Sequence, residues 1–163
     1  MWRQGFWRPL ARLALEYLER GFTRNAAGKA FQAWKALLAA LLRLELERLK
    51  AVAKTEERRW LELRAVPRVP TTKMKELGRL LEEAGHYGIS AWTDKALDLH
   101  DYQYHGLDPD MALSKYTTRE SAAADVVELL QELARRVKTL KGRIKWSDEL
   151  EKALKEVRRA LTR

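Results

Sequence analysis

The sequence predicts an all-α protein whose helices, about six in number, pack into one bundle. Three observations predict this class. Apolar residues recur every three to four positions along most of the chain, helix-capping residues and glycines stand at the ends of those stretches, and no stretch alternates as a half-buried strand does. The 163 residues suffice for one core, and 46% hydrophobic with 34% charged residues exclude a disordered chain.

Two helices are predicted in the first third of the chain. Pro9 suits the first position of a helix, and Gly21 is the residue expected to end that helix. Asn25 is predicted to cap a second helix, since its short side chain can accept a hydrogen bond from the first turn. That helix is expected to run past Leu49, with a kink near Thr55.

The middle of the chain is expected to contain a linker and two further helices. Pro67 and Pro70 bracket a short extended segment, because each proline disfavours helix in the residue before it. Thr71 or Thr72 then caps a third helix that Gly85 ends. The fourth helix runs from the cap Ser90 to about Gly106, and a turn-rich loop follows it.

Two helices complete the chain. Thr117 to Glu120 has the spacing of a capping box and predicts the start of the fifth helix. Ser147 is predicted to cap the sixth, a basic amphipathic helix that can contact RNA or a membrane surface, although most such helices simply pack on their own bundle. We expect residues 1–140 to form the bundle and residues 141–163 to pack on the same domain as a basic C-terminal helix.

Charge and composition narrow the class of protein. The net charge of +9 is uneven, because residues 76–136 are acidic while the chain on either side is basic. Such a field favours polyanions, although a merely solubilising surface is an equal alternative. The chain has no cysteine and no apolar run of the roughly 18 residues that a membrane span needs, so we expect a cytoplasmic protein. Abundant charge and a single asparagine are typical of a thermophilic source.

The fourth predicted helix carries the residues best suited to chemistry. Asp94, Asp98, Asp101 and His105 share one helical face, while His100 and Tyr104 share the adjacent one. Carboxylates with an imidazole can hold a divalent cation or act as general acid and base, but a solvated acidic face is the simpler interpretation. No dedicated metal motif, phosphate-binding glycine loop or nucleophile elbow occurs, so no metal and no cofactor is expected.

Three segments resemble the archaeal PaREP-one family. They are the string from Gly21 to Leu38, the segment from Val69 to Met74, and the segment from Asp98 to Ala112. Together they indicate a resemblance over roughly residues 10–137. That family belongs to the HEPN superfamily (higher eukaryotes and prokaryotes nucleotide-binding).

The resemblance implies an HEPN-like antiparallel helical bundle of about five to six helices, often dimeric. Relatives include RNA-cleaving toxins and partners of small nucleotidyltransferases. The nuclease members use an arginine and a histidine that are separated by four to six intervening residues, near the start of a late helix. Here Lys95 takes the place of that arginine before His100, whereas Arg79 and His86 have the spacing but straddle the end of a helix.

The leading hypothesis is a homodimeric HEPN-like protein that binds nucleic acid or nucleotide through its basic surface, without assured catalysis. The fourth helix and its following loop are the predicted site, with two lysines near the start of the second helix as further phosphate contacts. The predicted binding residues are His100, Asp101, Tyr104, His105, Lys29 and Lys35.

Two alternatives stay open. One is a metal-independent RNase of HEPN toxin type, with His100 as general acid/base and Lys95 stabilising phosphate charge. The other is a structural partner of a small nucleotidyltransferase-like protein.

Overall fold

The computed structural model describes residues 7–66, 68–144 and 146–162, and within these ranges the chain forms seven α-helices and no strand. The helices are α1 (Trp7–Glu19), α2 (Thr23–Val52), α3 (Thr55–Trp60), α4 (Met74–Glu83), α5 (Ile89–His105), α6 (Arg119–Thr139) and α7 (Asp148–Leu161). A π-helical turn, Leu61–Ala65, follows α3, and a 3-10 turn, Thr71–Lys73, precedes α4. The all-α prediction is confirmed.

The chain divides into two compact units. The first comprises residues 7–34 and 95–162 of the described chain, and the second comprises residues 35–94. Both boundaries between the units fall inside a helix, one in α2 and one in α5. Across the described ranges, no helix combines the length and the apolar character needed to cross a membrane.

The first unit is built on helices α1, α6 and α7, which pack on one another. Its core takes one face from each helix, and the buried residues of α6 and α7 follow the helical period. The Ser147 hydroxyl accepts a hydrogen bond from the Leu150 amide at 3.1 Å, so the predicted cap of the last helix is confirmed. That basic C-terminal helix therefore lies in the same unit as α1 and α6.

The second unit buries leucines of α2 against the short helices that follow. Its largest fully buried side chains are Leu37, Leu38, Leu41, Leu42, Met74, Leu77, Leu81 and Ile89. Polar contacts at its edge tie α2 to the end of α4, because Glu45 lies 3.0 Å from the His86 ring and Arg48 donates to the Ala84 carbonyl at 2.9 Å. The extended Pro70 precedes the 3-10 turn as expected, while Pro67 lies outside the described residues.

Gly21 controls the turn between α1 and α2. Its φ of 79° is left-handed, and the amides of Gly21 and Phe22 donate back to Leu18 and Tyr17, which is the Schellman arrangement. Phe22 also accepts from the Ala26 amide, so α2 starts at once, at Thr23. The prediction that Asn25 caps this helix is wrong, because the closing turn of α1 already supplies the first carbonyl of α2.

Other helix boundaries also differ from the prediction. Neither Thr71 nor Thr72 caps α4, because both lie in the 3-10 turn that follows Pro70, and α4 starts only at Met74. The expected kink near Thr55 is a full break, and Arg58 donates to the Ala53 carbonyl there at 2.9 Å. The start of α5 is capped by the Glu82 carboxylate, which accepts from the amides of Gly88 and Ser90 at 2.7 and 3.1 Å, so Ser90 is not the cap. The cap of α6 is Thr118, one residue later than the capping-box spacing predicts, and it accepts from the Ser121 amide.

Candidate anion pocket at the end of helix α5

Three rings on α2 and α5 form a ladder from the core of the first unit to its surface. The buried Phe31 ring stacks on His100, with centroids 4.2 Å apart and planes 26° from parallel. Tyr104 then meets His100 edge-on at 5.1 Å and is 65% exposed. The sequence correctly puts His100 and Tyr104 on one helix face, and the structure shows that packing fixes the imidazole beneath an accessible phenol.

Arg24 holds the carboxyl end of α5. Its guanidinium donates to the Gln103 carbonyl at 3.1 and 3.0 Å and to the Tyr104 carbonyl at 2.7 Å. These carbonyls belong to the last turn of the helix, where they have no intrahelical donor and carry the negative end of the helix dipole. Gly106 leaves the helix with a φ of 69°, and an added Cβ there would meet the Arg24 guanidinium at 3.4 Å. A positive charge is therefore fixed at the predicted site.

A pocket of about 570 Å³ opens beside Arg24, entirely within the first unit. The start of α2, the end of α5 and the start of α6 supply its walls. Its lining comprises Gly21, Phe22, Thr23, Arg24, Asn25, Tyr102, His105, Gly106, Leu107 and Arg119. Arg119 reaches across and donates to the Gly21 carbonyl. Within the described part of the chain neither Arg24 nor Arg119 forms an ion pair, so the pocket holds two guanidinium charges that no carboxylate contacts.

Tyr102 also lines the pocket, between the two arginines and the core. Tyr102 is only 2% exposed, and its ring packs edge-on against Tyr116 at 5.4 Å. No described residue makes a hydrogen bond to its hydroxyl. Burial raises the pKa of Tyr102, while the charges of Arg119 and Arg24 oppose that rise and the Glu120 carboxylate adds to it. The phenol is therefore a neutral donor close to both guanidinium groups.

The loop from Gly106 to Thr118 closes one side of the pocket. The Asp108 carboxylate accepts from the amides of Leu113 at 2.7 Å and Asp110 at 3.1 Å. Those backbone hydrogen bonds, the bond to Leu113 foremost, lower the pKa of Asp108 below its ordinary value. Asp108 is thus held as an anion that organises the turn-rich segment after α5.

Lys95 pairs with acidic residues of the chain, whereas the RNase alternative requires its ammonium to contact a phosphate of the RNA. Its ammonium lies 3.1 Å from Asp125 and 2.6 Å from Glu128, both on α6. Partial burial lowers the pKa of Lys95, but the hydrogen bonds to Glu128 and Asp125 outweigh that effect and raise it overall. A lysine bound by two carboxylates joins α5 to α6, and its charge is already compensated. The assignment of Lys95 to phosphate chemistry stays a prediction without geometric support.

The remaining predicted residues lie apart from the pocket lining. Asp101 is exposed on α5, and Lys29 is partly exposed on α2. Lys35 belongs to the second unit, where its ammonium lies 3.3 Å from the Thr71 hydroxyl. Of the six predicted binding residues, His105 alone lines the pocket, with Tyr104 contributing a backbone carbonyl to its arginine.

The acidic face of α5 shows no geometry for a metal ion. Asp94 lies 2.8 Å from Lys75 in the second unit, so its carboxylate pairs with a cation of the chain. Across residues 7–66, 68–144 and 146–162, no three acidic or histidine side chains come together as a set of ligands.

Comparison with known proteins identifies the family of this chain. A sequence model of the archaeal PaREP1/PaREP8 family matches residues 7–127, which is well over half of the chain. The chain belongs to that family. The PaREP1/PaREP8 match covers α1 to the first turns of α6, and hence every residue that lines the pocket. No curated protein and no solved structure matches the chain.

Three pocket residues were missed by sequence reasoning. Arg24 and Arg119 are 95 positions apart, and each lies in the first turn of a helix, where arginine carries no special signal. Tyr102 occupies an apolar position of α5, so the sequence pattern predicts a core residue there. Two segments that carry the family resemblance did point to this region, since the string from Gly21 to Leu38 contains Arg24 and the segment from Asp98 to Ala112 contains Tyr102.

A pH-dependent prediction follows from the network beside Lys95. The Tyr116 hydroxyl donates to Asp125 at 2.6 Å, and burial, with help from that carboxylate, raises the pKa of Tyr116 above its ordinary value. A raised folded pKa stabilises the protein fully below the unfolded pKa of about 10, and this contribution is lost as pH rises further. We therefore expect the free energy of unfolding to fall above about pH 10, measured by urea titration at several pH values.

Tyr116→Phe should reduce that alkaline decline. At neutral pH the variant should cost roughly 1.5–3 kcal/mol, the usual contribution of a hydrogen bond to a charged group. Tyr104→Phe, which removes the hydroxyl but keeps the ring of a tyrosine that is 65% exposed, is the matched control and should change the free energy of unfolding by less than about 0.5 kcal/mol. An unaltered alkaline slope in Tyr116→Phe would contradict the role given to this hydroxyl.

Proposed function

We propose that this PaREP1/PaREP8 protein binds nucleic acid or nucleotide at the carboxyl end of α5. The observation that carries the proposal is the pocket with two guanidinium groups that no described carboxylate contacts, next to the exposed ring of Tyr104. Arginine forks bind phosphate oxygens, and exposed aromatic rings stack on bases. The net charge of +9 adds a long-range attraction for polyanions.

Each of the neighbouring residues has a definite part in this binding. Arg24 and Arg119 contact phosphate, and His105 at the pocket wall supplies a further imidazole nitrogen. Tyr104 stacks on a base, and His100 beneath it keeps the phenol in position through the edge-on contact. This arrangement needs no proton transfer, so the proposal is one of binding.

The test is a gel-shift experiment on purified protein with end-labelled single-stranded RNA, with and without magnesium, at two salt concentrations. An intact, shifted band that weakens as salt increases is the expected result, because phosphate contacts release counterions. An unshifted band at low salt would rule out RNA and leave only a nucleotide as the ligand. Shortened RNA products would overturn the proposal of binding alone, since they indicate an RNase and make His100→Ala the next variant.

A matched pair of tyrosine variants locates the binding surface. Tyr104→Ala should weaken RNA binding about tenfold, since stacking on one base contributes roughly 1–3 kcal/mol. Tyr87→Ala removes a ring of the second unit that is 81% exposed, against 65% for Tyr104, and should leave the dissociation constant unchanged. Equal losses in the two variants would place the RNA elsewhere.

A further inference from the structure

The pocket beside Arg24 has the features of a site for one particular kind of anion. Two guanidinium groups reach it from α2 and α6, and both are fixed in place by backbone carbonyls of the same unit. Since each guanidinium has five N–H donors, those hydrogen bonds leave donors of Arg24 and Arg119 available. Fixed donors bind an anion without the entropy cost of ordering long side chains.

The start of α2 adds backbone donors to the same pocket. Thr23, Arg24 and Asn25 line it, and their amides are the first of a 30-residue helix. Such amides have no carbonyl one turn earlier in the helix, and Ala26 is the first to find one, at Phe22. A helix start of this kind favours phosphate and carboxylate groups.

A helix start is common in proteins, and the Tyr102 hydroxyl is what distinguishes this one. Tyr102 is only 2% exposed, yet no described residue makes a hydrogen bond to its hydroxyl. The hydroxyl oxygen is not fully enclosed by the described part of the chain, and the residue lines the pocket beside Arg24 and Arg119. A ligand oxygen that reaches into the pocket would complete the missing hydrogen bond.

We propose that this pocket binds a terminal phosphate monoester, with the Tyr102 hydroxyl and the guanidinium groups of Arg24 and Arg119 contacting its free oxygens. The inference rests on the proposed binding of nucleic acid or nucleotide and names the chemical group recognised. A monoester protrudes from its sugar, has three free oxygens and carries close to two negative charges. A phosphodiester within a strand has two free oxygens, and sugars on both sides keep it from a buried hydroxyl. The group comes either from the end of a strand or from a free mononucleotide.

The experiment compares three versions of one single-stranded RNA by fluorescence polarisation. They carry a 5′-phosphate, a 3′-phosphate or hydroxyl groups at both ends, with the dye attached inside the strand. We expect one of the phosphorylated strands to bind at least about tenfold more tightly than the hydroxyl strand, as two or three charge-assisted hydrogen bonds would provide. Competition by unlabelled adenosine monophosphate, against adenosine as control, shows whether free mononucleotides occupy the site.

Two variants with matched controls test the named residues. Tyr102→Phe removes only the hydroxyl, and because that group has no described partner, the fold should keep its thermal stability. It should lose most of the preference for a phosphorylated end, measured as the ratio of the dissociation constants of the hydroxyl and phosphorylated strands. Arg119→Gln should lose the preference too, whereas Lys115→Gln removes one charge from the exposed loop nearby and should keep it.

The outcomes separate this inference from the proposed function. If all three strands bind equally and Tyr102→Phe changes nothing, the terminal-phosphate site is wrong although nucleic-acid binding stands. If no strand binds, calorimetry with adenosine monophosphate and with inorganic phosphate decides. Binding that Tyr102→Phe weakens would support a mononucleotide site. If neither adenosine monophosphate nor inorganic phosphate binds, both proposals are overturned.

Discussion

Glu132→Ala is expected to lower the free energy of unfolding by about 3–5 kcal/mol, the usual cost of removing one partner of a buried ion pair. The side chains of Glu132 and Arg136 are only 8% and 9% exposed, and a carboxylate oxygen lies 2.7 Å from the Arg136 Nε. Without the carboxylate, the guanidinium stays buried on α6 with its charge no longer balanced by Glu132. Urea unfolding followed by circular dichroism measures the loss.

Two controls separate the buried pair from its exposed neighbour. Arg135 also bonds to Glu132, but its side chain is 62% exposed, so Arg135→Ala should cost less than about 1 kcal/mol. The double variant Glu132→Met with Arg136→Met replaces both charges by apolar groups of similar length and should recover most of the stability. If Glu132→Ala cost no more than Arg135→Ala, the charge of Arg136 would be compensated in some other way.

The helices were predictable from the sequence because their signals are local. Apolar periodicity gave the faces of α4, α6 and α7, and a single serine hydroxyl at Ser147 sufficed to place the start of α7. Local reasoning failed where a cap comes from elsewhere in the fold. The Glu82 carboxylate caps α5 from six and eight residues away, across a turn that Gly88 makes with a φ of 83°.

The candidate site was only partly predictable, and the reason is the part played by backbone groups. The contact between His100 and Tyr104 was predictable, because a spacing of four residues puts them on one helix face. Arg24 is fixed by carbonyls of α5, and every residue has a carbonyl, so no sequence pattern marks that contact. The surface of the expected homodimer is equally hard to predict from the sequence, because an apolar helix face has the same residue pattern whether it packs on its own chain or on a second copy.

Lys95 illustrates how spacing can mislead. Five residues before a histidine, it imitates the arginine of the nuclease pattern that the family resemblance implies. On an α-helix five residues are about 140° of rotation, so the two side chains leave α5 in different directions. His100 packs on Phe31 of α2 while Lys95 pairs with carboxylates of α6. Position on the helix decides the partner of each residue.

Phe31→Ala is the second substitution with a large expected effect, a loss of about 3–5 kcal/mol from deleting a buried aromatic ring. Phe31 is 4% exposed and packs directly on the imidazole of His100. The cavity costs stability, and the imidazole also loses the ring that fixes its orientation. Thermal unfolding measures the first effect, and the shift of the His100 ring protons in NMR spectra measures the second, because those protons lie in the ring current of Phe31.

Phe31→Leu separates these two consequences. Leucine fills much of the space, so the variant should stay folded with a smaller loss of stability, yet it cannot stack on His100. If His100 positions Tyr104 for a base, RNA binding should weaken in Phe31→Leu by a factor similar to that in Tyr104→Ala. Unchanged binding in a folded Phe31→Leu would mean that the accessible phenol needs no support from His100. Recognition would then rest on the pocket arginines, leaving His100 a residue of the core.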